Sequence, residues 1–257
     1  MGSFRNPSLL GTLGAAFLPL YIALLFEKKN RICAIFGIVF CLAIVYLSNS
    51  GGPLTASVIG VVGWLFWFAR KRMFFVRYIL VCSIFLLGSI MKAPLWYLPA
   101  KISSYSGGAG YHRSYLMDLA FQNISLWWFV GMDTHLTRNW FPYILVTTDS
   151  ADIANQYLVF GFNAGLLALA LFIFLLVRTF LNLGRTLTFV RSTNLLTPTE
   201  NEFILWGLGC IILVHIFTWV GISYFDQTQW IWLMQLAAIS SISNSYIEAN
   251  LKQPNKS

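Results

Sequence analysis

The sequence predicts an all-α fold: a polytopic transmembrane helical bundle of about seven spans, with one long external loop that contains an amphipathic interfacial helix. Three observations predict it. Of 257 residues, 58% are hydrophobic and 10% charged, with a mean hydropathy of +0.69, whereas a soluble globular domain carries about 25% charged residues. The apolar residues fall in blocks long enough to cross a hydrocarbon core, which takes about 17–25 helical residues. The basic residues collect in alternate loops between those blocks, and Trp residues cluster at the block ends, where amphipathic rings prefer to sit.

Seven spans follow, at 8–26, 32–48, 53–69, 76–92, 156–177, 203–222 and 230–247, making residues 1–257 a single membrane domain. Lys28, Lys29 and Arg31 follow the first span, and Arg70, Lys71, Arg72 and Arg77 surround the end of the third. Arg178, Arg185 and Arg191 follow the fifth, and Lys252 and Lys256 lie near the end of the chain. With these loops cytoplasmic, 12 of the 17 basic residues are inside, as the positive-inside rule requires. The N-terminus is then external and the C-terminus cytoplasmic. All five Asp residues fall outside and all four Glu residues inside. An external N-terminus with only Arg5 ahead of the first span reads as the start of an N-terminally truncated chain.

The net charge of +8 resides in these short loops rather than on a soluble basic face, so membrane lipids are the expected partner and nucleic acid is not. Cys33, Cys41, Cys82 and Cys210 all lie inside predicted spans without metal-ligand spacing. No phosphate-binding glycine loop, zinc spacing, nucleophile elbow or paired-aspartate metal motif is present, so neither a cofactor nor a metal is expected.

The external loop, 93–155, is far longer than an ordinary connection. After the Gly-rich stretch 106–110 come Tyr111, His112 and Arg113. Leu116, Leu119, Ala120, Ile124, Trp127 and Trp128 then recur at helical spacing, opposite Asp118, Gln122 and Ser125. That pattern predicts an amphipathic helix lying along the membrane surface.

Four short segments give a resemblance. Gly2-Ser3-Phe4-Arg5-Asn6-Pro7-Ser8 is similar to a "G-T-F-x-N-P-N" motif leading into a span. Leu47-Ser48-Asn49-Ser50-Gly51-Gly52 stands where an "S-R-G" is often found. The block from Tyr111 to Phe180 runs "Y-H-R-x-x-L-x-x-x-A", then Trp127-Trp128-Phe129-Val130-Gly131, then Asp152-Ile153-Ala154-Asn155-Gln156-Tyr157-Leu158, then Gly165-Leu166-Leu167. Ser223-Tyr224-Phe225-Asp226-Gln227 supplies a polar turn. In this order the motifs resemble the C-terminal portion of the O-antigen ligase and O-antigen polymerase family of bacterial membrane proteins. The chain departs from the family pattern twice. Gly51 stands in place of the Arg of "S-R-G", and Ala154 in place of the His of "H-N-x-Y-L".

The resemblance implies an enzyme of the bacterial inner (cytoplasmic) membrane. It would join an undecaprenyl-diphosphate-linked oligosaccharide to a glycan or lipid acceptor on the external face, without a metal. Departure of the diphosphate needs cationic groups or helix N-termini facing it, and the acceptor hydroxyl needs a general base. Arg113 is the leading diphosphate ligand, since guanidinium recognises phosphate bidentately; headgroup binding is its alternative. Arg138 and Lys101 are further cations. Asp152 reads either as the base that replaces the missing His or as the N-cap of the fifth span. His112 is a second candidate base. Asn155, Gln156 and Tyr157 are substrate-binding candidates, as are Asp226 and its neighbour Gln227 across the 223–229 turn. His135 reads as solvated loop, and His215, mid-span, as a neutral hydrogen-bonded residue or a functional one. The remaining readings are a polysaccharide transporter or flippase, and a truncated, non-catalytic family member.

Overall fold

The computed structural model describes residues 4, 6–101, 110–140, 145–147, 150–193 and 199–251. The Gly-rich stretch at 106–109, Arg5, Asp149, Lys252 and Lys256 lie outside the described residues. Helices stand at every predicted span: α1 (Pro7–Leu24), α2 (Arg31–Leu47), α3 (Gly51–Leu65), α4 (Met73–Ile90), α7 (Gln156–Thr193), α8 (Glu200–Thr218) and α9 (Gln227–Leu251). The loop contributes α5 (Gly110–Gln122), the short α6 (Ile124–Trp127), and a hairpin of β1 (Leu145–Thr147) with β2 (Ser150–Ala151). Among the described residues, five helical runs are long and apolar enough to cross a membrane: Pro7–Leu24, Lys28–Leu47, Gly51–Ile90, Gln156–Ser192 and Glu200–Thr218. The third takes in two of the predicted spans, with Arg70, Lys71 and Arg72 in a 3-10 turn between them. Phe36, Phe40, Phe74 and Phe85 are each more than two-thirds exposed, and no residue of α4 is buried. Water would penalise such a surface heavily, whereas lipid would not.

The chain forms two compact units. The first comprises Met1–Trp64, Ile173–Thr218 and Tyr224–Ser257. In it, Asn6 caps α1 by accepting the Ser8 N–H at 2.9 Å, and Pro7 opens the helix where no N–H is required. Small residues let the helices approach closely. A Cβ on Gly14 would meet the Cys41 carbonyl oxygen at 2.9 Å, and one on Gly207 the Pro19 carbonyl oxygen at 2.9 Å. Such contacts substitute for a hydrophobic drive between helices in lipid. Leu183 and Val190 of α7 pack with Leu205, Leu208, Ile211 and Ile212 of α8 and Ile239 of α9. This packing explains why α7 runs to Thr193 rather than ending at 177. Leu176, Leu183 and Val190 are buried at seven-residue intervals and hold one face through the segment that carries Arg178, Arg185 and Arg191. Glu202 pairs with Arg191 at 2.6 Å, and Thr199 Oγ1 accepts the Glu202 N–H at 3.3 Å at the head of α8.

The second unit comprises Leu65–Phe172 and Trp219–Ser223. The apolar stripe of the loop is divided, contrary to the expectation of one surface helix. α5 stops at Gln122, and Leu116, Ala120 and Trp127 turn inward onto Ala151, Leu158 and Phe162. Trp127 Nε1 donates to the Ala120 carbonyl at 2.9 Å, and its ring packs over Gly161. Ile124 and Trp128 stay exposed. Of the predicted polar face, Asp118 and Gln122 share α5, Gln122 Nε2 donating to Asp118 Oδ2 at 2.9 Å, whereas Ser125 falls beyond its end on α6.

α7 is broken at Ala164 (φ −154°, ψ 24°) and Gly165 (φ 77°, ψ −174°). In an unbroken helix the Phe162 carbonyl would accept from the Leu166 N–H. Here Phe162 O accepts from Met132 N at 2.7 Å, and Leu166 N donates to Trp128 O at 2.8 Å. Gly131, at φ 87°, makes this approach possible. A Cβ on Gly131 would collide with Phe162 O, and a Cβ on Gly165 with Phe129 O. Both glycines therefore combine a left-handed φ with direct backbone contact. Gly131→Ala and Gly165→Ala are each expected to lower stability by at least about 2 kcal/mol, read by thermal unfolding in detergent. Gly184→Ala, at a helical position with nothing within 4 Å of its Cβ, should instead gain about 0.5–1 kcal/mol.

Candidate functional site

The second unit gathers part of the predicted site around the head of α7. Asn155, not Asp152, is the N-cap. Its Oδ1 accepts the N–H groups of Tyr157 at 3.0 Å and Leu158 at 3.1 Å, and its Nδ2 donates to Val220 O at 3.2 Å. The Gln156 N–H donates to Trp219 O at 2.9 Å. Asn155 and Gln156 are both buried. The first N–H groups of α7 are thus occupied by protein oxygens, which leaves them unable to cradle a phosphate. Residues 152–155 are not helical, so Asp152 does not lie on one helix face with Asn155 and Gln156. Tyr157 sets its ring 5.8 Å from Phe172 and 6.3 Å from the buried Trp219, a packing position.

The anchored segment at 219–221 has a second consequence. Arg113, half-buried on α5, lays its side chain along Gly221. A Cβ there would stand 3.2 Å from Cδ and Nε and 3.3 Å from Cζ. Arg113 and Asp152 lie within electrostatic reach of one another. Loss of hydration lowers the pKa of the Arg113 guanidinium, and the Asp152 carboxylate opposes that shift. Crowding by neighbouring atoms pushes the Asp152 carboxyl above its ordinary range, and the Arg113 charge pulls it back. Asp152 nevertheless keeps an exposed surface. The result is a cation within electrostatic reach of a carboxylate, the carboxylate still open to an incoming hydroxyl and more basic than usual. A capping Asp would have been driven the other way.

The remaining predicted residues stand apart in character. His112 is half-buried beside Arg113, with the Tyr111 ring edge-on at 6.0 Å. Arg138 is exposed on the 3-10 turn Thr134–Asn139, as is His135, whose N–H is held by Asp133 Oδ1 at 3.0 Å. Lys101 is exposed. Asp226 and Gln227 belong to the first unit. Asp226 is exposed at φ 51°, its carbonyl accepting the Gln229 N–H at 3.2 Å before α9. His215, also in the first unit, is buried, with Nδ1 2.8 Å from Tyr224 Oη and Nε2 2.6 Å from Gln235 Oε1. A neutral ring fits, with Nε2–H donating to Gln235 and Nδ1 accepting from Tyr224. Among the described residues no group of three His, Cys, Asp or Glu side chains is placed to hold a metal.

The sequence carries no signal for Gly221, Trp219 or Gln235, nor for Tyr224 and Gln235 as the partners of His215. Comparison with family models, with curated proteins and with solved structures finds no match to this chain.

Asn155→Ala is expected to cost about 1–2 kcal/mol through loss of the cap, seen as a lower unfolding temperature. Asn155→Asp keeps the accepting oxygen but sets a buried carboxylate against the Val220 carbonyl, and should cost at least as much.

Proposed function

We propose that the chain is a membrane glycan ligase or polymerase of the O-antigen ligase type. In this reading seven spans, with the N-terminus external and the C-terminus cytoplasmic, lie in a bacterial inner membrane. The single observation that carries the reading is that Arg113, laid along Gly221 next to the Val220 that holds the Asn155 cap, comes within electrostatic reach of Asp152, three residues before that cap. A lipid diphosphate presents its leaving group at that level of a membrane, and an acceptor sugar presents a hydroxyl.

In the proposed step the acceptor hydroxyl oxygen attacks the anomeric carbon of the donor sugar. Asp152 takes the hydroxyl proton as the new glycosidic bond forms. The bond from the anomeric carbon to the diphosphate oxygen breaks, and the lipid diphosphate leaves with both electrons. Arg113 offsets the charge that develops on it. The raised basicity of Asp152 suits this role, and its proximity to Arg113 keeps the carboxylate ionised enough to act. Asp152 thereby stands in for the histidine that Ala154 replaces.

A transporter is the second reading, and the break in α7 favours it, because discontinuous helices line many transport sites. The broken backbone groups Phe162 O and Leu166 N are already bonded to Met132 and Trp128, and no charged side chain lies between Gln156 and Val177. The enzyme reading is the better supported.

Complementation of a strain lacking its own ligase, with surface glycan resolved on gels, tests the proposal. Arg113→Ala should abolish glycan joining at unchanged membrane level, and Asp152→Asn should reduce transfer by about 10²–10⁴-fold. Full activity in either variant would sink the role given to that residue, and glycan moved without being joined would favour transport. Transfer should also fall on acidification through a midpoint above the ordinary carboxylate range, because only the ionised Asp152 accepts a proton. In Arg113→Gln the residual activity should lose its acid limb at still higher pH, since the charge that holds the Asp152 pKa down is gone.

A further inference from the structure

The loop segment just after α5 is unlike the rest of the loop. Ile124, Leu126, Trp128, Phe129 and Val130 are 39%, 49%, 53%, 71% and 73% exposed, and no charged residue occurs between Asp118 and Asp133. A polar loop would bury such side chains or lack them. Here the neighbouring Trp127 is buried instead, so the exposure of the others is fixed by the fold rather than by disorder of the backbone.

The backbone fixes where this patch sits. Trp128 O and Met132 N are bonded to Leu166 N and Phe162 O, so the patch lies at the level of the break in α7. That break falls inside a 37-residue helical run, Gln156–Ser192, that is long and apolar enough to cross a membrane. Phe162 is six residues beyond Gln156, roughly 9 Å along a helix, and half of a hydrocarbon core is about 15 Å. On the far side of the break Leu166 and Leu167 are 37% and 70% exposed and continue the same apolar surface. Asn163, exposed at the break itself, needs polar surroundings and so sets the level near the headgroup boundary rather than the midplane. The four backbone groups exchanged at the crossing, Trp128 O, Met132 N, Phe162 O and Leu166 N, are paired, as lipid requires of non-helical chain at depth.

We propose that residues 124–130 form an apolar wedge seated in one leaflet of the lipid bilayer at the headgroup–acyl boundary, fastened to α7 at its break. The occupant of this surface is lipid. The loop from 93 to 155 is then not wholly external. The proposal rests on α7 crossing the membrane but is independent of glycan transfer.

Nitroxide scanning of the full chain in liposomes tests it. With the four native cysteines replaced by alanine or serine, single labels are placed by Phe129→Cys and Val130→Cys. Leu171→Cys, farther along α7, and Asn139→Cys, on the exposed 3-10 turn, serve as references. The expected result is faster relaxation by oxygen than by a water-soluble nickel chelate at 129 and 130. The ratio should have the same sign as at 171, be smaller in size, and be opposite to that at 139. Greater relaxation by the chelate at 129 and 130, with 171 lipid-like, would overturn the wedge while leaving α7 as a span. Shielding from both reagents would also overturn it, by showing protein rather than lipid against the patch. A water-like ratio at 171 would remove the span on which the wedge depends. A failure of glycan joining would move none of these ratios.

Discussion

The backbone exchange at the break in α7 joins two parts of the second unit that the sequence separates by some thirty residues. Phe162 O and Leu166 N would have satisfied each other in a straight helix. Each instead takes a partner from the 128–132 turn, so neither is left bare where the helix is interrupted. The exchange requires glycine on both sides. Once it is in place, Trp127 falls over Gly161 and closes the small core of Leu116, Ala120, Ala151, Leu158 and Phe162. That core orients α5, and α5 carries Arg113. The geometry of the charged pair therefore descends from two glycines that touch neither charge.

Much of the fold was legible in the sequence because apolar blocks of spanning length leave few alternatives. The misreadings have specific causes. Arg178, Arg185 and Arg191 were read as loop charge, although Leu176, Leu183 and Val190 keep a seven-residue register across them and continue the helix. The stripe from Leu116 to Trp128 has helical spacing throughout, but spacing does not reveal the stop at Asn123, nor which of two adjacent tryptophans turns inward. Asp152 and Asn155 are both good capping residues at plausible positions. Only the carbonyl of Val220, sixty-five residues downstream, selects the amide, because a carboxylate has no hydrogen to donate to it. Gly221 was invisible for the same reason: its partner Arg113 is more than a hundred residues away.

Polar groups elsewhere in the bundle are handled by pairing rather than by avoidance. His215 is flanked by Tyr224 and Gln235, so both ring nitrogens have a partner and the ring need not carry charge in an apolar interior. Glu202 enters the interior of the first unit only against Arg191. These clusters constrain helix register within the unit, since an apolar substitution on one side would leave a desolvated group on the other. They are structural in character, whereas Arg113 and Asp152 retain access to solvent.

The lock between Gly131 and Gly165 also imposes an order on biogenesis. Chains grow from the N-terminus at about 5–20 residues per second, so the turn at 128–132 is made some 2–6 s before the peptide groups at 162–166 that will bind it. During that interval the turn lacks its hydrogen-bond partners. The loop cannot settle as each residue emerges; it has to wait, unsealed, until the peptide groups at 162–166 have been made.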